Sequence, residues 1–126
     1  MLYLIVFVGA GIGGALRHGV NVGSERIFGA GLPTGTLIVN VVGWFLMGAL
    51  AAYFLARPGV GQQMGLFLTT GILGGFTTFS AFSLDTALLM QRNAYGAAAG
   101  YVAGSVAASI GALFLGLALF RSAGLP

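Results

Sequence analysis

The most constraining feature of the sequence is a series of long apolar segments that contain almost no charged residues. These segments cover residues 2–22, 33–56, 64–90 and 95–120. A helix needs about 20 apolar residues to cross a hydrocarbon layer about 30 Å thick, and every segment is long enough. Charged residues make up 6% of the chain, whereas an ordinary globular domain carries about 25%. The sequence therefore predicts an all-α integral membrane protein, in which one domain of residues 1–126 crosses the lipid bilayer as four transmembrane helices.

The distribution of the few charged residues favours neither orientation of the protein in the membrane strongly. Four spans place both termini on one side of the membrane, together with Arg57 and Arg121. The other side carries Arg26 and Arg92, which Glu25 partly offsets. Because orientation follows the bias of Lys and Arg between the two sides, we expect insertion in both orientations; a single orientation fixed by other features stays open. The scattered arginines form no basic patch, so no nucleic-acid partner is expected.

Small residues recur at every fourth position of the last segment: Gly96, Gly100, Gly104, Ala108, Ala112 and Gly116. Such a stripe lets a second membrane helix approach closely. The pattern leaves open whether that helix belongs to the same subunit or to another copy. A subunit of this size is too small to enclose a polar pathway alone, so we expect an oligomer.

The third segment contains the most informative motif, residues 71–83, which read GILGGFTTFSAFS. Paired glycines followed by paired threonines favour an interrupted helix. An interruption frees backbone N–H and C=O groups, which are tolerated at membrane depth only where protein or a water-filled path surrounds them. Ends of half-helices are recurrent ion sites. The alternative is a kink whose polar groups are satisfied by Thr and Ser hydroxyls.

Two further sets of polar residues could serve either an ion or helix packing. Thr36 and Asn40 share one face of the second segment, and the Asn40 amide offers two N–H donors to an anion or a hydrogen bond to a neighbouring helix. In the fourth segment Tyr101, Ser105 and Ser109 form a stripe of hydroxyls at intervals of four. Those hydroxyls could escort an ion or bond between helices.

Phe79 and Phe82 lie three residues apart on one helix face. A phenyl ring has a negative face and a positive edge, so edges turned inward could line an anion path without a formal charge. Aromatic residues at this spacing are more often contacts with lipid or with the protein core, and that interpretation stays open.

The remaining charged or glycine-rich features each have a structural alternative. Arg17 could attract anions into a vestibule or anchor the first span, and we favour an anchor for the neighbouring His18. Asp85, near the end of the third segment, could couple transport to protons or pair locally at the interface. Residues 9–14 fit the GxGxxG dinucleotide pattern, but no parallel-sheet pattern follows, so packing glycines explain them better. Without cysteine, metal cluster or nucleophile–base pair in the sequence, no enzyme is expected.

Three motifs together resemble the Fluc (CrcB) fluoride channel family. They are residues 13–17 (GGALR), 35–40 (GTLIVN) and 74–82 (GGFTTFSAF). They occur in the family's order on the first three spans, and the resemblance covers essentially the whole chain. The third motif is the most specific. It departs from the family pattern at Ala81, which lacks a hydroxyl, and His18 replaces the usual aromatic residue after the arginine.

The resemblance implies an antiparallel, dual-topology homodimer with two fluoride pathways and with the third helix broken near the midplane. It implies a structural sodium ion at the dimer centre, held by the backbone carbonyls of Gly74 and Thr77, and a vestibule arginine at Arg17. The implied fluoride pore consists of Asn40, Phe79, Phe82, Ser80, Thr36, Tyr101, Ser105 and Ser109. The implied function is passive export of cytoplasmic fluoride through the inner (plasma) membrane of a prokaryote.

The main alternative is a small multidrug-type, proton-coupled exporter, which also has four spans and dual topology. Such an exporter needs a carboxylate within the membrane, typically in the first span. The two acidic residues here are Glu25, in a predicted loop, and Asp85, at a predicted span end. A second alternative, an assembly subunit without transport, has little need of polar groups in the middle of a span.

Overall fold

The structure, a computed structural model, describes residues 1–59 and 61–122. Within that part of the chain it is all-helical, and four helices are long and apolar enough to cross a membrane. They are Leu2–Phe28, Thr34–Ala56, Gln62–Gln91 and Tyr95–Arg121. The expectation of an all-α protein with four membrane-length helices is therefore confirmed.

In chain order the elements are α1 (Leu2–Phe28), α2 (Thr34–Ala56), α3 (Gln62–Leu66), a π-helical segment (Phe67–Leu73), α4 (Gly74–Phe76), α5 (Phe79–Gln91) and α6 (Tyr95–Ser122). The elements α3, the π-helical segment and α4 follow one another without a gap. Together with α5 they make up the third membrane-length helix.

Helix α1 is longer than the sequence predicted. Residues 23–26, expected in the first connection, are helical, and α1 ends only where Gly29 adopts a φ of 81°. Glycine adopts a positive φ without the steric cost that a Cβ atom would impose. The extra turn is held to the next helix, because the buried Ser24 hydroxyl is hydrogen-bonded to the hydroxyl of Thr34.

Helices α2 and α6 run parallel and pack backbone against backbone. A Cβ atom added at Gly48 would lie 2.0 Å from the carbonyl oxygen of Leu113, and one added at Gly116 would lie 2.3 Å from that of Phe45. Only glycine permits such an approach. In the stripe of small residues on α6, Gly116 therefore packs within the subunit. Among the described residues nothing lies within 4 Å of a Cβ added at Gly96, Gly100 or Gly104.

Glycines also join α1 to the third membrane-length helix. A Cβ atom at Gly13 would lie 2.0 Å from the carbonyl oxygen of Ile72, and one at Gly75 would lie 2.4 Å from that of Ala10. At Gly9 an added Cβ would lie 2.9 Å from a backbone oxygen of the π-helical segment. The glycines at positions 9 and 13 are thus packing positions in a membrane helix, which accounts for part of the GxGxxG pattern.

We expect Gly116→Ala to destabilise the protein, because the new methyl group would collide with a backbone oxygen that cannot move alone. Overpacking of this kind costs about 1–3 kcal/mol. The measurement is the thermal unfolding midpoint of the detergent-solubilised protein. Gly111→Ala on the same helix is the matched control, since no described atom lies within 4 Å of its added Cβ. Equal midpoints for the two variants would contradict the packing described for α2 and α6.

Candidate ion pathway

Two residues with extended backbone, Thr77 and Thr78, separate α4 from α5. Thr77 has φ −84° and ψ 159°, and Thr78 has φ −155° and ψ 126°. They lie close to the middle of the helical stretch Gln62–Gln91. From α2, the Asn40 side chain binds the Thr78 peptide in both directions. Its Nδ2 donates to the Thr78 carbonyl oxygen at 3.0 Å, and its Oδ1 accepts from the Thr78 N–H at 2.9 Å.

This pairing changes the hydrogen bonding of two nearby carbonyl groups. In a continuous α-helix the Thr78 N–H would bind the Gly74 carbonyl, four residues earlier, but here it binds Asn40. Likewise the Ala81 N–H, the helical partner of the Thr77 carbonyl, binds the Thr78 hydroxyl at 3.1 Å instead. The carbonyl groups of Gly74 and Thr77 have therefore both lost their helical donors.

These two carbonyl oxygens are the kind of ligand that a hard cation such as sodium binds. Backbone carbonyls at unwound positions of membrane helices are known sodium ligands, and Gly74 is exposed at the surface of the subunit. One chain supplies two such carbonyls, from Gly74 and Thr77. In the described part of the chain, no cluster of three or more His, Cys, Asp or Glu side chains provides a different kind of metal site.

A cavity of about 310 Å³ opens beside the extended residues, between α2, α5 and α6. It is lined by Asn40, Trp44, Gly74, Thr77, Thr78, Phe79, Phe82, Ser105, Val106, Ser109 and Ile110. Much of the predicted site thus meets at one place, although its members come from three separate parts of the sequence. The residues shared with the prediction are Asn40, Phe79, Phe82, Ser105, Ser109, Gly74 and Thr77.

Three aromatic rings lie in a row, and two of them, Phe79 and Phe82, line this cavity. The ring centroids of Phe79 and Phe82 are 5.6 Å apart, and those of Phe82 and Tyr101 are 5.2 Å apart. Phe82 is buried at 9% exposure, whereas Phe79 is 76% exposed. The row therefore runs from the exposed Phe79 to the buried Phe82 and on to the half-buried Tyr101.

Ser105 is the most distinctive polar group of the cavity. Its residue is 5% exposed, and its hydroxyl oxygen has no hydrogen-bond partner among the described residues. A buried hydroxyl without a partner costs free energy. Such a group in a cavity wall is therefore suited to donate a hydrogen bond to an ion or molecule that enters the cavity. Ser109, one turn further along α6, is 4% exposed and lines the same space.

Asp85 lies in α5, six residues before the third membrane-length helix ends at Gln91. Its Oδ2 accepts hydrogen bonds from the Thr36 hydroxyl at 2.7 Å and from the Tyr101 hydroxyl at 3.3 Å. Thr36 and Asp85 also line a second cavity, of about 620 Å³, at the end of the bundle where α1 meets α2. The Asp85 carboxylate thus accepts hydrogen bonds from two hydroxyls of the predicted pore. The sequence alone did not indicate these contacts.

Arg17 and Ser80 lie outside the set of described residues that lines the cavity around Asn40. The Arg17 Nε donates to the carbonyl oxygen of Gly75 at 3.1 Å, so its guanidinium contacts the C-terminal end of α4. The Ser80 hydroxyl pairs with the Thr78 hydroxyl at 3.2 Å in an exposed position. The assignments of Arg17 to a vestibule and of Ser80 to the pore stay predictions.

The sequence analysis missed Trp44, which lines the cavity together with Asn40. The signal was available, because a residue four positions after Asn40 lies on nearly the same face of α2. It was overlooked because an isolated Trp in an apolar helix resembles an ordinary packing residue. Its indole N–H is a donor without an accompanying acceptor, so it adds to the donor character of the cavity wall.

Helices of membrane length around a cavity lined by amide, hydroxyl and aromatic groups define a multi-pass membrane protein with a candidate ion pathway. The family model described as CrcB-like protein, Camphor Resistance (CrcB), matches residues 4–117, and this chain belongs to that family.

Similar proteins over nearly the full length carry the name fluoride-specific ion channel FluC. One from Methylobacterium nodulans is 57% identical over 121 residues, covering 96% of this chain and 97% of its own length. One from Rhodopseudomonas palustris (strain BisB5) is 54% identical over 122 residues, with coverages of 97% and 98%. One from Granulibacter bethesdensis is 54% identical over 122 residues, with coverages of 97% and 96%.

We expect Asn40→Leu, which has a similar size but no amide, to destabilise the protein strongly. It would leave the N–H and C=O groups of Thr78 without their partner, and an unsatisfied buried group costs about 1–3 kcal/mol. The measurement is again the thermal midpoint in detergent. Thr86→Val is the control, because the Thr86 hydroxyl bonds only the Phe82 carbonyl within its own helix. A midpoint for Asn40→Leu equal to that of the control would show that the amide pair is dispensable.

Proposed function

We propose that this chain is one subunit of a fluoride-selective, passive ion channel that exports cytoplasmic fluoride and so lowers its toxicity. The observation that carries the proposal is the cavity around Asn40, which combines amide and hydroxyl donors with aromatic rings. The names of the relatives support fluoride as the transported ion. Because those relatives are named as ion channels, this chain is not an enzyme.

Neutral donors are suited to a small, strongly hydrated anion. A selective pore must replace the hydration shell without holding the ion so tightly that it cannot leave. One N–H of the Asn40 amide is used by Thr78, so the other is available to an anion. The Ser105 hydroxyl, which has no partner among the described residues, is a second such donor. Ring edges of Phe79 and Phe82 supply positive potential without a formal charge.

The hydroxyls of Thr36 and Tyr101 extend this pathway toward the cavity of about 620 Å³. Both donate to Asp85, so an anion that arrives from that cavity competes with the carboxylate for them. On α6, Tyr101, Ser105 and Ser109 follow at steps of about 6 Å along the helix axis. Hydroxyls at this spacing could pass a small anion from one to the next.

The working unit in this proposal is an antiparallel homodimer with two pores and with the third helix broken near the midplane. The exposure of Phe79 and Gly74 supports a second copy, because each would otherwise present an unfinished site to lipid. Dual topology is supported by the weak charge bias of the chain. The expected location is the inner (plasma) membrane of a prokaryote.

A structural sodium ion at the dimer centre completes the proposal. The carbonyl groups of Gly74 and Thr77, which lack their helical donors, would hold it together with the same groups of the second copy. When bound, the ion would supply positive charge and cross-link the two subunits. The residues of the chain orient these carbonyls through the Asn40–Thr78 pairing and the Thr78 cap of α5.

The first test is fluoride efflux from liposomes that contain the purified protein, without a proton gradient and with chloride as the competing anion. We expect fast efflux of fluoride and little of chloride. Efflux that requires proton exchange, or that does not distinguish the two anions, would contradict the proposal.

In the same assay we expect Phe79→Ile to slow fluoride efflux by about two- to tenfold. An aromatic contact contributes about 0.5–1.5 kcal/mol, and about 1.4 kcal/mol in a barrier is tenfold in rate. Phe7→Ile is a matched control, because Phe7 is also 76% exposed but lies on α1. Equal efflux for the two variants, with the dimer retained in both, would exclude Phe79 from the pathway.

Replacing sodium by a large organic cation should weaken the dimer and lower its thermal midpoint. A ligand present at about 100 times its dissociation constant stabilises the native state by about 2.7 kcal/mol, and its removal withdraws that stabilisation. The measurements are the dimer fraction in detergent and the thermal midpoint. Replacing chloride by gluconate at constant sodium is the control. If neither the dimer fraction nor the thermal midpoint changes when sodium or chloride is replaced, the structural sodium ion is contradicted.

The alternative of a proton-coupled exporter rests on Asp85, which lies inside a membrane-length helix and contacts two pathway hydroxyls. Asp85→Asn separates the two functions, because it removes a titratable group and keeps an acceptor oxygen. For a channel we expect both the original protein and the variant to release fluoride without a proton gradient. Transport that needs the gradient in the original protein and is lost in the variant would favour the exporter.

A further inference from the structure

An apolar groove of about 320 Å³ lies on a second face of α2, between the π-helical segment and the end of α6. It is lined by Leu46, Ala49, Leu50, Tyr53, Leu68, Ile72, Leu73 and Phe120. All of these side chains are aliphatic or aromatic, and Tyr53 alone carries a polar atom. The groove has the lining expected for a hydrocarbon chain.

The groove and the candidate ion pathway lie on different sides of α2. Because a helix turns by about 100° per residue, Leu46, Leu50 and Tyr53 are directed between about 80° and 140° away from Asn40. A second copy seated over the cavity around Asn40 would therefore leave the groove facing lipid. The groove belongs to a surface that the proposed pathway does not use.

Two arginines lie at the end of the bundle nearest to Tyr53 and Phe120 of the groove. Gly116 of α6 packs beside Phe45 and Ala49 of α2, and the two helices are parallel. Their C-terminal residues, Arg57 after α2 and Arg121 in the last turn of α6, therefore emerge at the same end. Both are exposed there.

Each arginine adjoins an aromatic residue of the groove. The guanidinium carbon of Arg57 lies 4.9 Å from the centroid of the Tyr53 ring, a cation–π contact. Arg121 directly follows Phe120 in the sequence. Tyr and Arg at the end of a membrane helix are typical of the headgroup level of the bilayer. A phosphate group at that level would lie beside Arg57 and Arg121, next to the Tyr53 and Phe120 end of the groove.

No acidic residue offsets this positive end. The chain has two acidic residues in all, Glu25 and Asp85. Both line the cavity of about 620 Å³ where α1 meets α2, at the opposite end of the bundle. The charge of the groove end thus complements an anion and repels a cation.

We propose that the groove binds an anionic glycerophospholipid. One acyl chain lies along Leu46, Leu50 and the π-helical segment, and the phosphate is bound by Arg57 and Arg121. Arginine suits this role because its planar fork donates two parallel hydrogen bonds to a phosphate. Basic groups beside a pocket between membrane helices are a recurrent feature of anionic lipid binding. The inference stands apart from fluoride transport.

The test is native mass spectrometry of the detergent-solubilised protein with added phosphatidylglycerol or phosphatidylcholine of the same chain length. We expect tighter binding of phosphatidylglycerol, and we expect Arg57→Gln/Arg121→Gln to weaken it about thirtyfold, from the usual contribution of two arginines. Arg26→Gln/Arg92→Gln removes equal charge from the opposite end and should leave it unchanged. Equal affinity for both lipids, or equal losses in the two double variants, would overturn the proposal.

A second variant tests the groove separately from the charge. Leu50→Trp fills the space for the acyl chain and keeps both arginines, so we expect it to lose phosphatidylglycerol as the arginine variant does. Inorganic phosphate at millimolar concentration should not displace the lipid. Full binding by Leu50→Trp, or full displacement by inorganic phosphate, would show that only a headgroup-sized anion is held, and would overturn the lipid site.

The remaining occupant to exclude is a second copy of the chain. The sequence has no cysteine, so Leu50→Cys introduces a unique thiol into the groove. If lipid covers the groove, oxidation in membranes gives no disulfide between copies. Efficient cross-linking would show that another subunit covers the groove and would overturn the proposal. None of these readouts depends on fluoride flux, so failure here is distinguishable from failure of the channel proposal.

Discussion

The pairing of the Asn40 side chain with the Thr78 peptide is the interaction on which the rest of the site depends. A peptide group at membrane depth has no water to bind, and an unsatisfied one costs several kcal/mol. The amide of Asn40 provides one donor and one acceptor, which pair with the backbone C=O and N–H of Thr78. Because of this pairing the chain can leave the helix at Thr77 and Thr78 and resume it at Phe79.

Three consequences follow from that single pairing. The carbonyl groups of Gly74 and Thr77 lose their helical donors, the Thr78 hydroxyl becomes the N-cap of α5, and the new helix starts with Phe79. The start of α5 determines where Phe79 and Phe82 lie relative to α6. The carbonyl groups without helical donors and the positions of the two rings therefore result from one local interruption of the helix, and both rely on an amide from a different helix.

Much of the fold was predictable, and much less of the site. Apolar length alone indicates four membrane helices, since nothing but lipid accommodates so many long uncharged segments. The end of α1 was placed too early, because the sequence does not show that Ser24 pairs with Thr34. The partners of Asp85 could not be predicted for the same reason: its hydrogen bonds to Thr36 and Tyr101 join residues far apart in the chain.

The sequence by itself determined that this protein lies in lipid, how many spans it has and which types of polar group those spans contain. These features follow from hydrophobic length and composition, which are properties of single segments. Tertiary structure decided which of those groups meet. The Ser105 hydroxyl is available because no neighbour among the described residues accepts its hydrogen bond. Arg17 contacts Gly75 only because glycines bring α1 against the third membrane-length helix. Hydrogen bonds between helices depend on packing, and packing is a property of the assembled bundle.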